Sequence, residues 1–177
     1  MTHNGIMKAI GEKHRSFLCT LYDDPSRTMN LFINYNLNQH LSGKEYWALL
    51  ASSYQVGEEP GLQISFDELK CLWESKETDR DYLMCQNYLD KFKGFKFPLT
   101  LFRGMSREEK ESSNYGFSWT LSFDVARKFA KVHHGFVGKT VLTESDKGQL
   151  IAYFNHRFEE EVIFLHTNHV ISFVDID

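Results

Sequence analysis

The spacing of apolar residues changes period at Pro98, and this change limits what the chain can fold into. Before Pro98, apolar side chains recur at intervals of three and four, the period of an amphipathic helix. Met29, Leu31, Phe32, Tyr35 and Leu37 form one such run, with Asp24 or Ser26 as its candidate N-cap. Ser42-Gly43-Lys44-Glu45 has the capping-box pattern ahead of Tyr46, Trp47, Leu49 and Leu50. Gly57-Glu58-Glu59-Pro60-Gly61 is a break, after which Ser65 leads into Phe66, Leu69, Leu72 and Trp73. Tyr82, Leu83, Tyr88, Leu89 and Phe92 predict one further helix ending near Gly94. Aromatic stripes at this spacing form core-facing surfaces.

After Pro98 the pattern is that of short strands. Leu99, Leu101 and Phe102 lead to Arg103-Gly104 in a first strand, and Phe117–Ser122 reads as a second. Ser122 caps a helix, Phe123–His133, with Ala126, Phe129 and Ala130 on one face. Lys139–Thr143, Leu150–Phe154, Glu161–His166 and Val170–Val174 alternate or run apolar, as strands do, with Asp146-Lys147-Gly148 as a turn. Met105–Tyr115 carries Arg107, Glu108, Glu109, Lys110 and Glu111 and reads as a solvated connection. Helices followed by strands with one helix among them predict an α+β fold, not a doubly wound sheet. At 177 residues the expectation is one domain, with a helical lobe over 1–97 and a β-rich core over 98–177.

Bulk properties narrow the function classes. A net charge of -4 and a pI of about 6.1 argue against a strongly basic nucleic-acid binder. Apolar residues at 42% and aromatics at 15% are too many for a disordered chain. Cys19, Cys71 and Cys85 form no CxxC pair and read as reduced thiols. No apolar run approaches the roughly 20 residues that span a bilayer, and the N-terminus lacks a signal-peptide pattern. The expectation is a soluble, cytoplasmic protein with no membrane association.

The chemistry concentrates around Phe158-Glu159-Glu160-Glu161-Val162-Ile163. Strand alternation places Glu159 and Glu161 on one face and Glu160 on the other. A carboxylate at the mouth of a core strand is costly unless something uses it. Arg103 precedes a glycine at the end of a strand, where a guanidinium can hold a phosphate. Ser118 and Thr120 are alternate residues of the next strand, so their hydroxyls share a face. The glycine-loop signatures of dinucleotide and P-loop sites are absent. The pairs His133-His134 and His166-x-x-His169 lack zinc-motif spacing, and no metal is expected. Arg127, Lys128 and Lys131 read as a solvated basic helix face.

Leu101-Phe102-Arg103-Gly104, then Phe117-Ser118-Trp119-Thr120-Leu121-Ser122 running into Phe129-Ala130, then Glu159-Glu160-Glu161 occur in a fixed order. This order resembles the Arg…Ser-x-Thr/Ser…Glu-x-Glu signature of toxin-type mono-ADP-ribosyltransferases. The resemblance spans about residues 98–174. It departs at Trp119, where the family's middle motif usually carries a hydroxyl, and Trp119 is expected to turn into the core.

The resemblance implies a helical half packed on a small β-sandwich core and NAD+ as co-substrate, with no metal. It implies that Arg103 and Gly104 hold the NAD+ phosphates, and that Ser118, Trp119 and Thr120 line the cofactor site. Glu161 would stabilise an oxocarbenium-like ribose, and Glu159 would position or deprotonate the acceptor. Tyr153, Phe154, His156 and Arg157 would meet that acceptor, Tyr153 or Phe154 by stacking on a base. The implied acceptor is a macromolecule, either a protein side chain, arginine by the Glu-x-Glu pattern, or a nucleic-acid base such as one in RNA. An intracellular toxin, a toxin–antitoxin pair or a phage-defence effector fits these properties, with an antitoxin or inhibitor protein as partner. The competing readings are an NAD glycohydrolase and a non-catalytic binding module on the same fold.

Overall fold

A computed structural model describes residues 2–57, 63–165 and 172–174. Residues 58–62, with the Glu58–Gly61 part of the break, lie outside this set. So do residues 166–171, with His166, His169 and the start of the last predicted strand. The chain divides into two compact units, Met1–Leu89 and Asp90–Asp177. The division falls within a helix, upstream of Pro98.

The first unit is helical: α1 (His3–Lys13), α2 (Arg15–Asp23), α3 (Thr28–Gln39), α4 (Gly43–Val56) and α5 (Phe66–Trp73). Helix α4 is its centre. Tyr46, Trp47, Ala48, Leu49, Leu50, Ala51 and Ser53 are all buried, so over residues 46–51 α4 is buried around its whole girth. The Trp47 indole donates to the Glu77 carbonyl at 3.0 Å, and the Glu77 carboxylate accepts from Gly43 N at 2.7 Å. The predicted capping box at Ser42 does not form, because Glu45 is drawn away. Lys13 Nζ donates to it at 2.5 Å, and His14 Nε2 lies 3.4 Å from it. Burial pushes the Glu45 carboxyl up, but these partners outweigh it and hold the group below the usual carboxylate range. The true box is at α5, where Ser65 and Glu68 satisfy each other's backbone donors.

Two further expectations are corrected in this half. Neither Asp24 nor Ser26 caps α3, because a 3₁₀ turn, Pro25–Arg27, intervenes and Ser26 Oγ donates to Asp24 instead. The run from Tyr82 to Phe92 is not one helix. A 3₁₀ turn (Arg80–Leu83) is separated from α6 (Gln86–Lys93) by an extended Met84.

The second unit is built on six strands: β1 (Leu99–Met105), β2 (Ser118–Thr120), β3 (Phe136–Leu142), β4 (Leu150–Phe154), β5 (Glu161–Phe164) and β6 (Ser172–Val174). They pair antiparallel in one sheet of order β4-β5-β2-β1-β3-β6. The expectation of a β-sandwich is therefore corrected. Every described strand is hydrogen-bonded into this single sheet, since β2 joins the β4-β5 pair to β1. The architecture is α+β. The charged stretch after β1 holds a short helix, α7 (Arg107–Ser112), capped by Ser106. Lys110 Nζ sits 3.7 Å from the Phe136 ring centre, which ties this helix down.

Helix α8 (Phe123–Val132) covers one face of the sheet. Ser122 Oγ accepts from Val125 N at 3.4 Å at its start. Ala126 and Ala130 are fully buried with Val137, and Phe102, Phe123 and Val174 pack around them. The approach is close because Gly104 lies beneath the helix. A Cβ there would fall 2.3 Å from the Ala126 carbonyl oxygen and 2.5 Å from Ala130 N. Among the described residues, no helix is long and apolar enough to cross a membrane.

Candidate active site

Strand pairing puts the site together. Thr120 is the cross-strand partner of both Phe102 and Glu161, so these three side chains share the sheet face that α8 covers. Ser118, two residues along β2, shares it too, opposite Ile163. The Ser118 hydroxyl donates to Glu161 Oε1 at 2.5 Å. The carboxylate is thus aimed by a neighbouring strand, not by its own flexible stem. Charge-assisted hydrogen bonds of this kind are short and about twice as strong as neutral ones.

An open cleft of about 150 Å³ lies over these residues. Phe102, Gly104, Val125, Ala126 and Phe129 supply an apolar wall, and Ser118, Thr120, Glu159, Glu161 and His133 supply polar groups. Trp119 and Arg103 also border it. The Trp119 indole is in the core, against Phe164, as alternation requires.

Glu159 and Glu161 line the cleft and Glu160 does not. The cause differs from the expected one. Strand β5 begins only at Glu161, and the division arises from a turn, not from strand alternation. Phe158 and Glu160 both have left-handed backbones, at φ 59° and 45°. Such residues cost about 1 kcal/mol or more each and need outside support. Thr120 Oγ1 donates to the Glu159 carbonyl at 2.6 Å, and Leu121 N to the Glu160 carbonyl at 3.1 Å. Asn155 Oδ1 accepts from Glu160 N at 3.0 Å. The Glu160 carboxylate lies 4.0 Å from Lys91 Nζ.

Arg103 requires a correction. It borders the cleft, but its guanidinium is engaged by protein groups. Its Nε donates to Glu109 Oε1 at 2.7 Å and its Nη1 to the Ser118 carbonyl at 2.5 Å. Glu109 also accepts from Gly116 N at 2.8 Å. A Cβ at Gly116 would fall 2.5 Å from Arg103 Nη2, so a side chain there would displace the guanidinium. The guanidinium therefore braces the backbone of β2 and does not offer an open fork to a phosphate. The neutralising carboxylate comes from α7, in the stretch read from sequence as a solvated connection.

The expected acceptor residues separate into two groups. Tyr153 and Phe154 are buried in β4, at 3% and 1% exposure, and cannot stack on an outside base. The Tyr153 ring packs edge-on to Phe95. His156 and Arg157 are exposed. The exposed aromatic is Phe158, at 86%, directly before Glu159. Sequence reading missed it, together with Phe129, His133 and Glu109. Phe129 lies in α8 and His133, its C-cap, follows four residues later, a spacing that marks a shared face. Nothing in the sequence signals the Glu109–Arg103 pair.

Among the described residues, no group of three or more His, Cys, Asp or Glu side chains converges as a metal site. No protein-family model matches the chain, and searches of curated proteins and of solved structures returned no match.

Proposed function

We propose that the protein transfers ADP-ribose from NAD+ to a macromolecular acceptor. The observation that carries this reading is the Ser118–Glu161 hydrogen bond in a cleft that also holds Glu159. Loss of nicotinamide leaves positive charge on the ribose, and a fixed, oriented carboxylate is the group that stabilises such a centre. In the proposed step the bond from nicotinamide nitrogen to C1′ breaks, and nicotinamide departs as a neutral molecule with the electron pair. The acceptor's lone pair forms the new bond to C1′, and its proton passes to the Glu159 carboxylate. Ser118 orients Glu161. Arg103 acts through the β2 backbone as a positioning residue, with Glu109 as its counter-charge. Gly104 allows α8 to close the cleft, and Thr120 fixes the turn that carries Glu159.

Phe158 favours a macromolecular acceptor over water. An aromatic ring held out in solvent on a braced turn beside Glu159 suits contact with a large partner, whether a protein side chain or a base in RNA. His156 and Arg157 flank it. An intracellular toxin or defence effector, restrained by an inhibitor protein, is the biological setting that fits such an activity.

The test is incubation with labelled NAD+ and a cell lysate, followed by nuclease or protease. Label released by protease identifies a protein acceptor, and label released by nuclease identifies a nucleic acid. Free ADP-ribose alone would indicate a glycohydrolase. Glu161→Gln is expected to lower turnover by about 100-fold to 1,000-fold, the cost of removing one oriented electrostatic group. Full activity in that variant would overturn the proposal.

A further inference from the structure

The cleft has two carboxylates but must accept a ligand with two phosphates, if the proposed reading holds. Two basic side chains border it, Arg103 and His133. Arg103 is neutralised by Glu109 and spends Nε and Nη1 on protein acceptors. His133 is different. It is exposed, it follows the last turn of α8, and it stands four residues after Phe129, which lines the same cleft. Among the described residues its imidazole has no hydrogen-bond or ion-pair partner. The charged groups that share the cleft with it are Glu159 and Glu161 on the β5 side and Arg103 from β1. Lys131 and His134 neighbour it in the chain and are also exposed.

We infer that His133 is the anion-binding residue of the cleft and contacts the pyrophosphate of the dinucleotide. An imidazole ring N–H donates a hydrogen bond to a phosphate oxygen, and the acceptor's charge strengthens that bond. The apolar wall at Phe102 and Phe129 then takes the ligand's flat rings, and the oriented Glu161 meets the ribose at the other end. The inference rests on the proposed NAD+ chemistry but is separable from it by binding measurements.

The experiment is calorimetric titration of the full chain with ADP-ribose and, separately, with nicotinamide riboside, which carries no phosphate. Wild-type protein, His133→Gln and His133→Lys are compared. His133→Gln should weaken ADP-ribose about ten-fold, the size of one charge-assisted hydrogen bond, and leave nicotinamide riboside unchanged. His133→Lys should restore most of the ADP-ribose affinity. Equal loss on both ligands, or no loss on either, would overturn the assignment while leaving ADP-ribosyl transfer standing. Wild-type protein that binds neither ADP-ribose nor NAD+ would overturn both.

Discussion

Replacing Gly104 by alanine adds one methyl group, and the surroundings give it nowhere to go. The new carbon would stand 2.3 Å from the Ala126 carbonyl oxygen, 2.5 Å from Ala130 N and 2.7 Å from Phe129 Cβ. Comfortable contact needs about 3.5 Å, so α8 must retreat by about 1 Å. Two of the three obstacles are backbone atoms, which no rotamer change can clear. Overpacking of this kind costs about 1–3 kcal/mol, and we expect the upper end because a whole helix must move. Gly148→Ala is the matched control, since a Cβ there meets nothing within 4 Å. That change should stay within about 1 kcal/mol of wild type and can stabilise by restricting the unfolded chain. The assay is urea denaturation followed by circular dichroism. With a slope of about 2 kcal/mol per molar, Gly104→Ala should lower the midpoint by about 1.5 M. If both variants unfold with wild-type midpoints, α8 is not seated on β1 as described. The same retreat would displace Phe129 and His133, so ADP-ribose binding should weaken in parallel.

Two more outcomes follow from named contacts. Phe158→Ala removes a ring that packs on little, so stability should hold within about 0.5 kcal/mol, while transfer to the acceptor drops at least about ten-fold and NAD+ cleavage with water persists. Equal loss of both reactions would move Phe158 from the acceptor to the NAD+ side. Tyr46 tests the helical unit at high pH: its hydroxyl donates to the Leu72 carbonyl at 3.1 Å, and burial pushes its pKa up to about 12. The raised value means folding favours the neutral phenol, so this stability is complete below about pH 10 and is lost as pH rises toward 12. Over that window wild-type protein should lose up to about 2 to 3 kcal/mol more than Tyr46→Phe. Melting curves at stepped pH would reveal the difference, and parallel curves would refute it.

The sequence is most informative where one physical rule acts alone. Period-two spacing located β1, β4 and the second half of β3, which begins three residues before the expected Lys139, and Ser122 and Ser65 marked true helix starts. At Ser42 the same motif failed, since Glu45 is taken by Lys13 and His14, which are distant in sequence. Arg103 was legible as a residue of the site and illegible as to role. Its partners, Glu109 and the Ser118 carbonyl, depend on a short helix whose charged composition resembles a loop. Spacing put Tyr153 and Phe154 in a strand while the resemblance put them against the acceptor, and in the fold they complete β4 and face the core. The turn at Phe158–Glu160 uses left-handed residues without a glycine to announce them.

Strand β2 is three residues long and lies between β5 and β1 near the centre of the sheet. It is the seam that holds a two-strand flap, β4 and β5, to the remaining three strands. The candidate chemistry sits on that seam, so damage to it and damage to the fold are difficult to separate. Removing Arg103 would loosen the backbone that joins the two pieces, and removing Thr120 would release the turn beside it. A variant intended to be inert but intact, for instance to trap a bound target, is therefore best made at the Glu161 carboxylate. A glutamine there keeps the pairing of Thr120 with residue 161 and leaves the seam closed.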